Sequence, residues 1–330
     1  MKTSLATEAG YGAARPSPAP ALAVVQTEAA AGPALALRHL SVPLPRGLLT
    51  IEGWQIERGH KVAMIGRNGV GKTSVVEALL GLREGARVEG TMLGTELAQW
   101  HRRPELRKRL GVQLQRVAFP GRPRVRELVA MHRALFDHTS GEVMEALGVP
   151  ALLPRLYEFL SRGETQRIDL FLALAHEPEI LFLDEPFTGL DPQFAKNLSA
   201  LIRRQTRATI VMSCHTIEEF SLVDKVAWLK TDGLARYDAP EHLRHELVGD
   251  YRLVAQCEDE AGAARLAQSL ASDVPSGARI HTDGARVQVA AAEPLADLAR
   301  ALVDRAGVQS VEAGRSTLVD LLRHCAKEGA

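Results

Sequence analysis

Cysteine is scarce in this 330-residue chain: Cys214, Cys257 and Cys325 are scattered and odd in number. They share no metal-ligand spacing and outline no disulfide framework, which argues against a zinc module and fits a reducing cytoplasm. No stretch approaches the roughly 20 consecutive apolar residues that a bilayer-spanning helix needs, so any membrane role is expected to come through a partner. The first residues do not follow the charged, apolar and cleavage order of a signal peptide. Neither sign of charge is in excess, with 40 Lys plus Arg against 40 Asp plus Glu. A protein living on nucleic-acid backbone contacts would show a basic surplus, so no nucleic-acid partner is expected. No internal repeat and no long heptad pattern is found either. The chain does have an ordinary globular composition, 46% hydrophobic and 24% charged, and enough length for one large core and a smaller domain.

Residues 1–33 are rich in Ala, Pro and Gly without a sustained period, and read as a disordered tail. From residue 34 to about 240 short apolar runs alternate with helical patterns. Leu48–Ile51, Lys61–Ile65, Glu179–Leu183 and Thr209–Ser213 read as strands, and the last two as fully buried ones. Ser74–Leu82, residues 161–176 and residues 192–206 read as helices, and residues 95–160 as mostly helical. Within them, His101-Arg102-Arg103 and Arg107-Lys108-Arg109 form a basic cluster, read as solvated surface. Asp238-Ala239-Pro240 marks a break. Beyond it Tyr251–Gln256, Ala261–Ala271, Arg279–Thr282, Ala285–Ala290, Pro294–Ala306 and Val308–Ala313 read as strand, helix, two strands, helix, strand. That order suits a ferredoxin-like α+β domain over 241–330, closed by a helix at Thr317–Lys327.

The strand Lys61–Ile65 runs into Gly66-Arg67-Asn68-Gly69-Val70-Gly71-Lys72-Thr73, followed by Ser74 and a helix. This is the complete phosphate-loop pattern in the strand–loop–helix context it requires. Its glycines let successive N–H groups turn inward on phosphate oxygens, and the helix offers its positive end to the same anion. Lys72 is placed to reach β- and γ-phosphates and Thr73 to ligate Mg²⁺. Downstream, the apolar strand Ile180-Leu181-Phe182-Leu183 ends in Asp184-Glu185-Pro186. An Asp there is a second handle on Mg²⁺, and a neighbouring Glu can polarise a water. Ser161 and Glu164, three apart at a helix start, form a capping box.

Leu160-Ser161-Arg162-Gly163-Glu164, placed shortly before the Asp-Glu strand, resembles the signature sequence of ATP-binding-cassette (ABC) ATPases. The usual form is Leu-Ser-Gly-Gly-Gln; here Arg162 replaces the first Gly and Glu164 the Gln, while Ser161 and Gly163 are kept. Other family motifs follow in the expected order. Gln115 matches the glutamine loop that touches Mg²⁺, with Gln113 as a rival; Asp191 in Thr188-Gly189-Leu190-Asp191-Pro192 matches the loop that crosses the dimer interface; His215 matches the switch histidine at the γ-phosphate. The family's adenine-stacking aromatic has no counterpart in His39-Leu40-Ser41-Val42-Pro43-Leu44, which leaves base stacking to His39 or to another residue.

The resemblance covers about residues 34–240 and implies an α/β fold: a P-loop NTPase core with a parallel-rich sheet, an antiparallel β subdomain and a helical subdomain. It implies an ATPase using ATP and Mg²⁺, with Glu185 as general base, His215 as γ-phosphate sensor, and Thr73, Asp184 and Gln115 serving the metal. It also implies a head-to-tail dimer, of two copies or with a sister cassette, in which Ser161 to Glu164 of one chain close on ATP held by Lys72 of the other. Gly314-Arg315-Ser316-Thr317-Leu318-Val319-Asp320-Leu321-Leu322 resembles, loosely, the closing segment of bacterial export ATPases. The leading expectation is therefore an export motor at the cytoplasmic face of the membrane, bound to a separately encoded permease. The alternative is a non-transport ABC ATPase acting on DNA or ribosomes. A GTPase would want an Asn-Lys-x-Asp base reader, and Lys230-Thr231-Asp232 lacks the Asn.

Overall fold

The computed structural model describes residues 32–45, 47–100, 102–114 and 119–327. Nearly all of the 1–33 tail, His101 and Gln115 lie outside the described residues. The chain opens with β1 (Leu35–Leu44), β2 (Gly47–Ile56) and β3 (Lys61–Ile65), then α1 (Lys72–Leu79), β4 (Arg87–Met92) and β5 (Thr95–Glu96). Short α2 (Leu97–Trp100) and α3 (Pro104–Arg107) precede β6 (Leu110–Gln113), α4 (Val125–Leu135), α5 (Gly141–Ala146) and α6 (Arg162–Leu174). The second half of the cassette runs β7 (Ile180–Leu183), α7 (Pro192–Arg204), β8 (Thr209–Ser213), α8 (Ile217–Phe220), β9 (Lys225–Lys230) and β10 (Gly233–Asp238). After α9 (Pro240–Val248) come β11 (Tyr251–Cys257), α10 (Glu260–Leu270), β12 (Arg279–Asp283), β13 (Arg286–Ala291), α11 (Ala296–Val303), β14 (Val308–Arg315) and α12 (Leu318–Lys327).

Among the described residues the first ten strands form one sheet, ordered β5-β4-β1-β2-β10-β9-β3-β8-β7-β6. Its β9-β3-β8-β7-β6 part is parallel. Its β4-β1-β2 part is antiparallel. A single parallel pairing, Gly233 with Thr50, joins β10 to β2. The parallel strands are buried on both faces, and side chains alternate between two cores. Ala63, Ile65, Leu181, Leu183, Ile210 and Met212 face the side of α4, α6 and α7. Val62, Met64, Ile180, Phe182 and Val211 face α1 and the antiparallel strands. This two-sided burial is why β7 and β8 read as unbroken apolar runs in the sequence. The expected helical reading of residues 95–160 missed β6, a short edge strand whose four residues carry no apolar run.

The C-terminal sheet is ordered β12-β13-β11-β14 and is wholly antiparallel, the ferredoxin-like topology expected. It has its own core of Leu253, Ala255, Leu266, Leu270, Val287, Val289 and Leu302. The break at Asp238-Ala239-Pro240 is a helix start, with Pro240 at the first helical position where its missing N–H costs nothing. Leu243 of α9 and Leu321 and Cys325 of α12 are buried in the cassette core, so both ends of the C-terminal segment anchor there. The basic cluster is drawn into ion pairs at two of its members, Arg109 with Glu179 and Lys108 with Asp137.

Polar groups buried under α4 and α6 give stability a pH dependence. The Leu110 carbonyl can only accept, so His176 donates to it from Nε2 (3.1 Å) and accepts at Nδ1 from His132 Nε2 (3.4 Å). Burial pushes His132 down to about 4, helped by His176 and Arg133. Its folded pKa lies below the unfolded one, so its contribution is complete above about pH 6.5 and lost as pH falls towards 4. Asp169 accepts from the Tyr157 hydroxyl at 2.6 Å, and burial raises it to about 6. Its contribution is present at low pH and lost as pH rises through 6. Asp169→Asn keeps an acceptor for Tyr157. In denaturant titrations it should raise the unfolding free energy by about 3 kcal/mol at pH 7.5, and by about half that at pH 5. An equal gain at both pH values would refute the assignment.

Candidate functional site

Strand β3 delivers the chain to Gly66, whose φ is 146°. A Cβ there would lie 2.4 Å from the Leu229 carbonyl oxygen on β9, so the loop can leave the sheet at this point only as glycine. Val70 is 4% exposed and pins the loop to the core, while Arg67, Asn68 and Gly69 face solvent. Gly71, left-handed at φ 110°, caps α1, which has no side-chain cap hydrogen bond. The first-turn N–H groups of α1 thus have no intrahelical acceptor and are available to an anion at the helix start. Lys72 is 8% exposed and donates to the carbonyls of Gly66 (2.9 Å) and Arg67 (3.3 Å). Burial lowers its pKa from the usual lysine value, against the opposing pull of Asp184 and Glu185.

The carboxylates are tied to this loop by a continuous chain of hydrogen bonds. Thr73 Oγ1 donates to Asp184 Oδ2 at 2.6 Å. Ser213 Oγ donates to Asp184 Oδ1 at 2.8 Å and accepts from the Glu185 N–H at 2.6 Å. Glu185 Oε1 lies 3.3 Å from His215 Nε2, and Oε2 accepts from Thr188 Oγ1 at 3.3 Å. Glu185 has φ 50°, a left-handed backbone that is unusual for a non-glycine residue and turns its side chain out of the β7 direction. Gln166 of α6 clasps that turn, donating to the carbonyls of Pro186 (2.9 Å) and Glu185 (3.3 Å). His215 is steadied by Glu219, whose carboxylate accepts from the His215 and Thr216 N–H groups.

The capping box read from the sequence is present at α6: Glu164 N–H donates to Ser161 Oγ (3.3 Å) and Ser161 N–H to Glu164 Oε2 (2.8 Å). A hydroxyl that accepts in a cap keeps its own proton for a further acceptor. Glu164 also pairs with Arg155 at 2.6 Å, and its pKa is lowered chiefly by the Ser161 backbone bond. A Cβ on Gly163 would sit 2.5 Å from the Gly189 carbonyl oxygen, so the start of α6 packs directly on the loop before Asp191. Arg162 lies across Gly189 from the same side. Asp191 caps α7, accepting from the Gln193 and Phe194 N–H groups. Among the described residues no hydrogen bond or ion pair joins Ser161 to Lys72, Thr73, Asp184, Glu185 or His215.

Gln113 is 1% exposed at the end of β6, and its Oε1 has no hydrogen-bond partner among the described residues. It is a sheet residue enclosed by neighbours, while Gln115, its rival, falls outside the described residues. His39 Nδ1 donates to Glu52 Oε1 across the β1–β2 pair, 2.6 Å away. Sequence reasoning did not reach Ser213, Gln166 or Glu219. Ser213 carried a faint signal, a lone hydroxyl at the end of a fully buried strand. Thr216 and Glu219 formed a second capping-box spacing directly after His215.

The ABC transporter family profile matches residues 51–188, from β2 to just beyond Glu185. A putative ABC transporter ATP-binding protein of Streptomyces avermitilis is 31% identical over 214 residues, 61% of this chain and 79% of that one. The tungstate uptake system ATP-binding protein TupC of Peptoclostridium acidaminophilum is 28% identical over 58% of this chain and 91% of its own length. The bacitracin transport ATP-binding protein BcrA of Bacillus licheniformis is 29% identical over 57% of this chain and 64% of its own. Among solved structures, an ATP-binding subunit of an ABC transporter shares the fold with a TM-score of 0.57 at 20% identity, covering 64% of this chain and 92% of that one. With its phosphate loop and acidic strand end in contact, this chain belongs to the ABC transporter family, among its ATP-binding, ATP-hydrolysing proteins.

Proposed function

We propose that this chain powers export through a separately encoded membrane permease, by closing and opening a head-to-tail dimer on two ATP molecules. The observation that carries the reading is the division of the site. The hydrogen-bonded chain from Thr73 through Asp184, Ser213 and Glu185 to His215 lies within one molecule. Among the described residues Ser161, kept from the family signature, has no such bond to any of these, which supports a site completed by a second copy. The loop amides and Lys72 bind the β- and γ-phosphates, and Ser161 and the Gly163 N–H of the mate close over the γ-phosphate. Glu185 takes a proton from the attacking water, and His215, against Glu185, senses the γ-phosphate. Loss of the γ-phosphate removes contacts from both chains and opens the dimer.

Thr73 and Asp184 place two hard oxygen donors 2.6 Å apart beside the loop, a set suited to Mg²⁺. Gln115 would complete it. When bound, the ion neutralises charge on the β- and γ-phosphates.

The working parts are a cassette over 34–240 and an accessory domain over 241–330, behind a tail of residues 1–33. The accessory α+β domain, with its closing α12, supports the export reading; the relatives' names cover bacitracin transport and a probable multidrug transporter as well as tungstate uptake and phosphonate import. Among the described residues no helix is long and apolar enough to cross a membrane, which fits a permease in another chain. A cleft of about 210 Å³ beside α4 exposes Met131 (42%) and Leu135 (55%), an apolar surface on which a permease segment can seat. The chain should co-purify from membranes with a protein of several spans, and Met131→Glu/Leu135→Glu should break that association while ATP binding persists. ATP hydrolysis stimulated by DNA or ribosomes, with no membrane association, would overturn the reading in favour of a non-transport ATPase.

A further inference from the structure

The C-terminal sheet has two unlike faces. Leu253, Ala255, Val287 and Val289 pack inward under α10 and α11. The alternate residues, such as Arg252 and Gln256 on β11 and Arg286 and Gln288 on β13, line the other face. That face is the floor of a cleft of about 830 Å³, walled at one end by α9 and α12. Ligand sites for small molecules commonly span about 300–1,000 Å³. A sheet face that needed only water would need no wall.

Charge is graded along this floor. At the walled end Arg252 and Arg279 flank Ala290 across the strands, since both pair with it, and Gly314 lies opposite Arg252 on the other side. The small Ala290 between the two cations, with Gly314 beside Arg252, leaves room for an anion. Arg323 and His324 line the same cleft from α12. The acidic group at this end is Asp320, paired with Arg252 at 3.3 Å. Arg279 is held only by a backbone acceptor, the Glu246 carbonyl at 2.9 Å, and Arg323 has no hydrogen bond or ion pair among the described residues. Three guanidiniums therefore face Asp320 and, one cross-strand row farther out on β14, Glu312. Farther out the cross-strand neighbours Asp283 and Arg286 offset one another, and Gln288 and Gln256 offer neutral hydrogen bonding.

We infer that this cleft binds a small soluble oxyanion, a carboxylate or phosphate compound with a polar body, and that α12 relays its occupancy to the ATPase site. Guanidinium groups recognise both oxyanions through paired N–H donors. The relay is one helix with two faces. Asp320, Arg323 and His324 face the cleft. Leu318, Leu321, Leu322 and Cys325, at helical spacing, pack in the cassette core with Phe220 of α8. Helix α8 begins two residues after His215. Trp228 in the cassette donates to the Cys325 carbonyl at 3.3 Å and meets the His324 ring with centroids 5.8 Å apart. A ligand that moves α12 has a short packed path to the loop of His215.

Citrate and pyrophosphate are suitable probes, titrated calorimetrically into the full chain saturated with ADP at constant ionic strength. At least one should bind saturably, with a change in tryptophan emission from Trp228. Binding should weaken at least ~10-fold in Arg279→Gln/Arg323→Gln and survive Lys72→Met, which separates it from the phosphate loop. At fixed free Mg²⁺ the binding anion should change ATP turnover about two-fold or more, and not in the double arginine variant. Failure of both anions to bind, or equal affinity in the variant, overturns the site. Unchanged turnover at saturation overturns the relay. Binding only to phosphatidylglycerol vesicles would reassign the face to a membrane surface and also overturn the proposal. Because binding is read without hydrolysis, its failure is distinguishable from failure of the transport reading.

Discussion

Glu185→Gln should lower steady-state ATP hydrolysis by at least ~10²-fold, the scale of a lost general base, while ATP affinity stays within a few-fold. The substitution is isosteric, so the contacts that set the turn should persist. The Glu185 N–H to Ser213 bond and the Gln166 clasp both use the backbone. Thr188 can still donate to the amide oxygen in place of Glu185 Oε2. What disappears is a carboxylate able to accept a proton, together with its negative charge beside His215, 3.3 Å away. Because ATP is bound and not consumed, the variant should accumulate as a dimer in size-exclusion chromatography with ATP, and as a monomer with ADP. Hydrolysis at the native rate would remove Glu185 from the role of base. Lost hydrolysis without dimerisation would leave the base in place and refute the closing of two chains.

Lys72→Met should separate binding from folding. Hydrogen bonds from an ammonium to phosphate oxygens are each worth about 1.5–3 kcal/mol, so ATP affinity should fall about 100-fold or more. Stability should not fall with it. Lys72 is 8% exposed, its charge is disfavoured by burial, and its partners in the free protein are two carbonyls of its own loop. A thioether of similar length removes the desolvated charge while keeping an apolar stem in the buried position. The thermal midpoint without nucleotide is therefore expected to be unchanged or higher, which marks the lysine as kept for function at some cost in stability. Calorimetric ATP titration and a melting curve on the same sample decide this. Unchanged ATP affinity would refute the phosphate-loop role, and a large loss of stability would refute the burial argument.

The parts of this protein legible from sequence alone are those that are local. The phosphate loop is read from its spacing because the backbone turn and the helix start lie within eight consecutive residues. Strands β7 and β8 are read as buried because both faces of a parallel strand meet apolar neighbours. The ferredoxin-like order of the C-terminal strands follows the alternation of apolar positions, with element ends shifted by up to three residues as helix and strand termini fray. The signature helix start is read from its capping box, which is also local.

Tertiary structure decided what depends on groups far apart in the chain. Thr73 and Asp184, 111 positions apart, meet because β3 and β7 flank β8 in one parallel sheet. Ser213, joining Asp184 to the Glu185 backbone, and Gln166, holding the Glu185 turn, act through contacts that no periodicity announces. The left-handed backbone of Glu185 is likewise imposed by its surroundings and against the preference of the residue. The sequence suggested an accessory α+β domain over 241–330; how it attaches is a matter of the fold, which buries Leu243, Leu321 and Cys325 in the cassette core and brings α12 to α8, behind His215. Local spacing determined the chemistry this protein can perform, because phosphate-binding and helix-capping geometry is written within a single turn of chain. Which groups share one site, and which surface is coupled to it, was settled only by the long-range burial that stacks the strands and seats the last helix.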